Sequence, residues 1–425
     1  MEMEKKGKDH KGGGISRRAF LKAAGITGLA SSAIGFPAVL RGAEPKEILI
    51  GSIHPVTGPV AYDGTSLAQA VELAAAQKNA AGGIKSMSGA KLKVLLLDSE
   101  AKPKVGEAAA EKLIRDGCIC LLGCYNSPVA MVTTQVAERS GVPHIITVAV
   151  ADEILERGFK YTFRVQPDAT NMAEMTCKYT RQLAEKFNMT LKTMSCLHIS
   201  GFGAVVYNKL VKLAPKYGFE AIGNVSYGFG VSDLTTEVSK VKGMNADVII
   251  DVGYLPDGIL KIKTYSDLKV EPKGGIIGCA NGAFSNPSMV TELGRLAEHI
   301  MDGNYWHNPR SPLARNVIAE YNKKYTKVVF QSHAVHAYNA ALVIIDALER
   351  TGTTDLVKIR DAIAKTSLKE HIAPGGLIEF DSTGQNKNAM ATLQQVQKRD
   401  IKVVLPDEFS DARPVFPIPP WSAKS

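Results

Sequence analysis

The amino-acid sequence predicts an α/β protein made of two units, each with a parallel β-sheet covered by helices on both faces. Three observations support this fold class. Strand-like and helix-like segments alternate from residue 48 to residue 149, and the alternation restarts at residue 172. The length of 425 residues exceeds that of one ordinary domain, and 45% of the residues are hydrophobic, which is enough to fill two cores.

The first unit follows the order β-α-β-α-β-α-β. Its opening strand, Ile48–Ile53, leads through a loop to a helix that is predicted to begin at Ser66, with Ser66 and Gln69 as a capping box. The other predicted elements of this unit are the strands Lys91–Asp98, Cys118–Leu122 and His144–Ala149 and the helices Val105–Asp116 and Pro128–Arg139. Helical crossovers of this length are typical of parallel strands.

The second unit begins with a long amphipathic helix, Met172–Phe187. Its other predicted elements are the strands Thr193–Ile199, Glu220–Ser226, Asp247–Val252 and Gly275–Cys279 and the helices Val205–Tyr217, Leu234–Met244 and Gly258–Leu268. A mainly helical part follows, with late strands predicted at Leu377–Phe380 and Ala391–Leu405. Because ligands bind beyond the carboxyl ends of parallel strands, two such units predict a small-molecule cleft between them.

The net charge of +9 does not indicate a nucleic-acid-binding protein, because much of it lies near the start of the chain. Residues 1–43 carry eight basic and three acidic side chains, a net +5, and the remaining 43 basic and 39 acidic residues give +4. After residue 43, Lys and Arg do not form a stripe interleaved with aromatic residues. No nucleic-acid partner is therefore predicted.

Residues 1–43 are predicted to be a twin-arginine signal peptide. Arg17 and Arg18 follow Ser16, and an uncharged Gly/Ala-rich run extends from Ala23 to Leu40. A short membrane anchor is the alternative, but this run has only 18 residues and contains Pro37, which disfavours a stable membrane-spanning helix. The predicted location of the mature chain is the periplasm.

Six cysteines would face an oxidising compartment, where pairs form, but the sequence leaves any connectivity open. Cys118 and Cys120 are predicted to lie on one face of a buried strand, as small apolar side chains. The chain carries no P-loop, GxSxG or HExxH motif, and Gly201–Val206 lacks the third glycine of a dinucleotide site. His333 and His336 share a helical face without an acidic or Cys partner. No catalytic residue, cofactor or metal site is predicted.

The loops that follow the predicted strands carry the candidate ligand-binding residues. Ser127 and Pro128 have the pattern of a helix N-cap followed by proline, which would present N–H groups and a hydroxyl to a carboxylate in the cleft. Aromatic side chains occur in comparable loops at Tyr62, Phe202 and Tyr254. A plain helix cap and ordinary loop packing explain the same residues without a ligand, and that alternative stays open. Together the residues are typical of a small-molecule cleft.

Several longer motifs occur in a recognisable order along the chain. They are Ile53–Gly64 (IHPVTGPVAYDG), Asn79–Ile84 (NAAGGI), Leu122–Ser127, Gly141–Pro143, Phe163–Arg164, Gly253–Pro256 and Ala347–Gly352. In these segments the chain resembles the leucine/isoleucine/valine-binding proteins of ABC importers, and the resemblance extends over nearly all of the chain after residue 43. It implies a type I periplasmic-binding fold, in which two Rossmann-like lobes with parallel central sheets are joined by a hinge of three chain crossings.

The resemblance also implies how the chain is divided and what it does. Lobe one would comprise residues 44–167 plus 303–379, and lobe two residues 168–302 plus 380–425. The implied function is that of the extracytoplasmic component of an ABC importer, which captures a small solute by hinge closure and delivers it to a membrane permease. A ligand-sensing receptor domain of the same fold is the alternative, and an exported α/β enzyme is a third possibility.

The ligand-binding residues that the loops and the resemblance indicate are Tyr62, Asn126, Ser127, Ala149, Val150, Phe202, Tyr254 and Asn281. Ser127 matches the hydroxyl that holds the ligand carboxylate, and Ala149 and Val150 match backbone that contacts carboxylate and ammonium. Phe202 and Tyr254 match aromatic residues of the cleft.

Two departures from the family pattern concern the ligand. Val150 occupies a position where amino-acid binders commonly have Thr, and Asn281 lies where they have an acidic residue that pairs with the α-ammonium group. A buried ammonium without a carboxylate costs roughly 2 to 5 kcal/mol. The hypothesis is therefore a carboxylate or amide ligand without a free α-ammonium group, such as an aromatic or short aliphatic acid. The alternative is that Asp257 supplies the missing carboxylate.

Overall fold

The computed structural model describes residues 46–424, so the signal peptide predicted at residues 1–43 lies outside the described residues. Within this range the first sheet has five parallel strands: β1 (Glu47–His54), β2 (Lys91–Asp98), β3 (Leu121–Gly123), β4 (His144–Ile146) and β5 (Thr162–Arg164). Their spatial order is β2-β1-β3-β4-β5. We call the part of the molecule built on this sheet lobe one.

The second sheet, in lobe two, has seven strands within the described range: β6 (Thr193–Ile199), β7 (Glu220–Tyr227), β8 (Val248–Val252), β9 (Ile276–Cys279), β10 (Met301–Asn304), β11 (Thr392–Gln397) and β12 (Asp400–Leu405). Their spatial order is β12-β11-β10-β9-β8-β6-β7, and among these strands only β11 runs against the others, so that the pairs β10-β11 and β11-β12 are antiparallel. The two parallel-dominated sheets confirm the predicted α/β class.

The helices of lobe one are α1 (Ala61–Ala80), α2 (Pro103–Arg115), α3 (Ser127–Ser140), α9 (Pro312–Lys324), α10 (Ala334–Thr351) and α11 (Leu356–Ala364). The alternating side chains of β1 separate them into two layers. Ile48 and Ile50 pack on the side of α1 and α10, whereas Ile53 packs with α2 and α3. Both faces of the sheet are therefore covered.

The helices of lobe two are α4 (Ala169–Lys186), α5 (Phe202–Leu213), α6 (Thr235–Gly243), α7 (Leu255–Asp267) and α8 (Pro287–Leu293). Helices α4 and α5 lie on one face of its sheet, and α6, α7 and α8 join the core on the other. The described chain passes between the sheets three times: after β5, after β10, and before β11. The lobe boundaries given above stay a prediction at the level of single residues.

Several local predictions were wrong. The strand predicted at Leu377–Phe380 is absent from the described residues, where Ile378 and Phe380 form only isolated β-bridges. Helix α1 begins at Ala61, and Ser66 lies buried within it, where its hydroxyl accepts a hydrogen bond from the Gln331 N–H at 3.2 Å instead of capping the helix. The stretch 391–405 forms a hairpin because Lys398 and Arg399 both have positive φ. Cys118 and Cys120 lie in different core clusters, because the regular strand begins only at Leu121.

All six cysteines are buried free thiols. Burial raises the pKa of Cys118 to about 11 and that of Cys124 to about 12. The thiols are therefore protonated at neutral pH and pack as small apolar side chains.

Candidate functional site

A cavity of about 340 Å³, measured together with its opening to solvent, lies between the two lobes. Its lining residues are Tyr125, Ser127, Val148, Val150, Phe202, Gly253, Tyr254, Ala280, Gly282, Tyr305 and His333. Most of them directly follow a strand or begin the next helix, so the cavity forms where the carboxyl ends of parallel strands from both sheets meet.

Aromatic rings make up much of the wall. Tyr254, from lobe two, contacts the ring of Phe202 at a centroid distance of 5.0 Å and, across the cleft, the ring of Tyr125 at 5.6 Å. Phe229 extends this group towards solvent and meets Tyr254 edge to face at 5.8 Å. Rings at these separations attract one another, and they leave flat faces that suit a planar or apolar ligand.

Ser127 is the first residue of α3, whose N-cap position is occupied by Asn126 and not by Ser127 as predicted. The Ser127 hydroxyl oxygen accepts a hydrogen bond from the Ala151 N–H at 3.3 Å, which leaves the hydroxyl proton free to be donated. The amino-terminal end of a helix also favours negative charge. This wall of the cavity can therefore hold a carboxylate.

Tyr125 is fixed by a buried polar group. Its hydroxyl donates to Asp63 Oδ2 at 2.9 Å, and Asp63 Oδ1 accepts a hydrogen bond from Asn286 Nδ2 of lobe two at 3.0 Å. Burial raises the pKa of Asp63 to about 7, although both hydrogen bonds act against that shift. Asp63 is thus a carboxyl group that changes charge near neutral pH directly behind the cavity wall.

The two lobes contact each other across the cavity. Asn126 Nδ2 donates to the Tyr254 hydroxyl at 3.0 Å, and Lys209 of α5 forms an ion pair with Asp152 of lobe one at 2.5 Å. Gly282 also belongs to this contact, because a Cβ atom there would lie 3.1 Å from the Tyr125 hydroxyl oxygen. The two lobes are therefore in direct contact beside the cavity in this structure.

The cavity wall carries no ionised side chain among the residues that the structure describes. Its titratable residues are Tyr125, Tyr254, Tyr305 and His333. Burial raises the pKa of the three tyrosines and lowers that of His333 to about 4, so all four side chains are neutral at pH 7. The lining is neutral and partly aromatic.

The structure brings four of the eight predicted site residues to the cavity wall, namely Ser127, Val150, Phe202 and Tyr254, with Asn126 directly behind them. Two others do not line the cavity. The Tyr62 hydroxyl accepts a hydrogen bond from the Val329 N–H at 3.3 Å. The Ala149 backbone is occupied within lobe one, because its N–H donates to the Cys124 carbonyl and its carbonyl accepts from Gln166.

Asn281 is fully buried behind the wall. Its side-chain amide donates to Asp251 Oδ1 at 2.5 Å and its oxygen accepts a hydrogen bond from the Ala283 N–H at 2.9 Å. Asp257, the alternative partner for an ammonium group, is also occupied. Its carboxylate accepts hydrogen bonds from the Tyr227 hydroxyl and the Tyr254 N–H, and it lies 3.6 Å from Lys261 Nζ.

Several lining residues were missed from the sequence. Tyr305 directly follows β10, a strand whose sequence, Met-Asp-Gly-Asn, has no strand-like pattern. His333 was noticed only as half of a histidine pair. Within residues 46–424, His, Cys, Asp and Glu side chains do not form a group of three or more that could hold a metal ion. For Tyr125, its position two residues before Ser127 was the available signal.

Comparison with known proteins agrees with this geometry. A family model described as periplasmic binding protein matches residues 47–400. The chain belongs to the periplasmic binding protein family. Among its curated relatives is the Leu/Ile/Val-binding protein homolog 7 of Brucella suis, which is 26% identical over 390 residues, or 88% of this chain and 96% of the relative. The resemblance to leucine/isoleucine/valine-type, type I binding proteins is thereby confirmed.

Solved structures of this periplasmic binding protein fold include proteins with different ligands. The branched-chain amino acid transporter substrate-binding protein LivJ from Streptococcus pneumoniae, in complex with isoleucine, has a TM-score of 0.71 and 20% identity and covers 84% of this chain and 97% of its own. A solute-binding protein from R. palustris, in complex with 4-hydroxybenzoate, has the same TM-score and identity and covers 84% and 95%.

Family membership implies a periplasmic location. Within the described range, none of the helices combines the length and apolar character that crossing a membrane requires.

Proposed function

We propose that the chain is the solute-capturing component of an ABC importer, exported by its twin-arginine segment and active without catalysis. The solute would bind in the cavity while the lobes are open and be enclosed as they close. The hydrogen bond from Asn126 to Tyr254 and the ion pair between Lys209 and Asp152 would then stabilise the closed form. A membrane permease would accept the solute from this form.

The proposed ligand is a small carboxylate without a free α-ammonium group, and an aromatic acid fits best. The observation that carries this proposal is the neutral, partly aromatic lining of the cavity. A carboxylate would find the Ser127 hydroxyl and the amino-terminal end of α3, and a ring would find Tyr125, Phe202 and Tyr254. The complex of the R. palustris relative with 4-hydroxybenzoate supports this ligand class.

An amino acid fits less well, because its ammonium group would lack a counter-charge. Asn281 is uncharged, and Asp257 already interacts with Tyr227, Tyr254 and Lys261. Burying an ammonium group under these conditions costs roughly 2 to 5 kcal/mol. The isoleucine complex of LivJ makes amino acids the natural competing class.

Isothermal titration calorimetry with purified protein tests the proposal. Benzoate, phenylacetate, leucine and isoleucine form a matched set, because the first two carry the carboxylate without the ammonium group. We expect the aromatic acids to bind at least about 30-fold more tightly than leucine, which corresponds to about 2 kcal/mol. Tight binding of leucine, with weak binding of both acids, would contradict the proposed ligand class.

A further inference from the structure

His333 is a lining residue that the proposed function has not used. It directly precedes α10 in lobe one and is 4% exposed. Its ring meets the rings of Tyr125 and Tyr305 edge to face, at centroid distances of 5.4 and 5.5 Å. These two neighbours hold the imidazole in place at the cavity wall.

Only a few groups at the cavity wall keep hydrogen-bonding capacity for a ligand. The Tyr125 hydroxyl donates to Asp63 at 2.9 Å and the Tyr305 hydroxyl donates to the Val148 carbonyl at 2.8 Å, so both face the cavity mainly with their rings. The hydroxyl protons of Ser127 and Tyr254 remain free, because each oxygen accepts a hydrogen bond from another group.

His333 adds a further group whose hydrogen-bonding capacity is available to a ligand. Its Nδ1 atom is 3.4 Å from the Ser332 hydroxyl, and Nε2 has no hydrogen-bond partner among the described residues. Burial lowers the pKa of His333 to about 4, so the ring is neutral at pH 7. A neutral imidazole Nε2 either donates or accepts, depending on the tautomer, and a hydroxyl group is a partner that satisfies both cases.

We propose that His333 is a specificity-determining residue that pairs, through Nε2, with a hydroxyl substituent on the ligand. The inference rests on the proposed function, since Ser127 and α3 would hold the carboxylate. His333 would then make the site prefer hydroxylated aromatic acids to the unsubstituted acid. The preference arises because a bound ligand excludes water from Nε2, and a ligand without the hydroxyl then leaves Nε2 unpaired.

Calorimetric titration of benzoate, 3-hydroxybenzoate and 4-hydroxybenzoate tests this pairing. We expect the wild type to bind one of the two hydroxylated acids roughly five- to tenfold more tightly than benzoate, the range of one buried hydrogen bond. His333→Phe should reduce this ratio to about one while benzoate affinity changes little. His333→Gln, whose amide can donate and accept, should retain part of the preference.

The control is His336→Gln, because His336 lies in the first turn of α10 and contacts Tyr305 but does not line the cavity. It should leave the ratio unchanged. If His333→Phe does not fold, as judged by circular dichroism, the ratio for His333→Gln decides. An unchanged ratio in the His333 variants, or a wild type that binds all three acids equally, would overturn the pairing alone. Failure of all three acids to bind would overturn the proposed ligand class together with the pairing.

Discussion

The cavity and the charged cluster directly behind it differ in whether their polar groups are charged and already paired within the protein. The cluster in lobe two consists of Tyr227, Asp251, Asp257, Lys261 and Tyr265. Lys261 and Asp251 are fully buried and their charged atoms are 2.5 Å apart. Only the backbone around Gly253 separates this cluster from the neutral cavity, since a Cβ atom at Gly253 would lie 2.7 Å from Lys261 Nζ.

This comparison shows that charged groups near a ligand site need not interact with the ligand. In the cluster each charged group has a protein partner, so the cluster fixes β8 to α7 and orients the Tyr254 loop. In the cavity the polar groups are neutral and some keep free hydrogen-bonding capacity. The cluster should therefore matter for stability, and the cavity for affinity.

The sharpest test of this division, with the largest expected effect, is Lys261→Met. It leaves Asp251 and Asp257 buried without their cation, and we expect the free energy of unfolding to fall by roughly 3 to 5 kcal/mol. Urea unfolding followed by circular dichroism measures the change.

The matched control is Lys263→Met on the same helix, where Lys263 and Glu292 form a half-exposed pair at 2.9 Å. Its effect should stay below about 0.5 kcal/mol, and equal losses in both variants would contradict the role of the cluster.

The next test addresses the cavity. Ser127→Ala removes the hydroxyl that we propose as a carboxylate donor, and it should weaken benzoate binding by roughly 1 to 3 kcal/mol. Ser140→Ala, at the exposed end of the same helix, should leave affinity unchanged. Isothermal titration calorimetry at a single pH measures the benzoate affinity of both variants. Because Ser127 also accepts from the Ala151 N–H, urea unfolding must show that the variant remains folded. Unchanged affinity would remove Ser127 from the site.

A smaller effect is expected at a contact between the lobes that does not line the cavity. Asn286→Ser removes the amide that reaches Asp63 across the cleft but retains a residue type that caps α8. We expect benzoate affinity to fall by about 0.5 to 1.5 kcal/mol, because closure loses one hydrogen bond. The control is Asn208→Ser on the exposed side of α5. Small-angle X-ray scattering without ligand should show a larger radius of gyration for Asn286→Ser only, and identical profiles would contradict the interpretation.

The sequence predicted the parts of this molecule that follow from local patterns. Alternating apolar strands and amphipathic helices were recognisable. Four lining residues lie shortly after predicted strands, and ligands of α/β proteins bind at the carboxyl ends of their parallel strands. Tyr305 and His333 could not be found in this way. They belong to distant segments of the chain, and the strand β10 that leads to Tyr305 is specified by buried partners, such as the Ser285 hydroxyl that donates to Asp302.

Asn281 shows a different limit of sequence reasoning. Its chain position suggested the ligand site, but its side chain is turned into the charged cluster by Asp251, which lies 30 residues earlier. Ser66 was similarly assigned to a helix cap and instead contacts residue 331. In both cases a polar side chain forms its hydrogen bond with a residue that is distant in sequence, and local sequence patterns do not predict such a partner.

The smallest predicted effect concerns Asp63, whose carboxyl lies directly behind Tyr125 and has a pKa of about 7. Burial also raises the pKa of Asp302 to about 7, but Asp302 lies within β10 and its carboxyl accepts hydrogen bonds from Ser285 and Asn304. Below that pH its carboxyl is neutral, and above it the group carries a negative charge behind Tyr125. His333, with a pKa of about 4, and the three tyrosines, whose pKa values are raised, keep their charge state between pH 5.5 and 8.5. Asp257 also faces this region, but Lys261 lies beside its carboxylate.

An anionic ligand binds more tightly when Asp63 is protonated, so the affinity for benzoate should be constant from pH 5.5 to 6.5 and fall as the pH rises through about 7. The fall should be only about two- to fivefold, because Tyr125 and Asn286 donate hydrogen bonds to the ionised carboxylate and reduce its field. Asp63→Asn should remove the pH dependence, whereas Asp267→Asn, at the end of α7, should preserve it. A slope that persists in Asp63→Asn would assign the titration to another buried carboxyl group, Asp302 or Asp257. If that group is Asp257, charge in the cluster does reach the ligand.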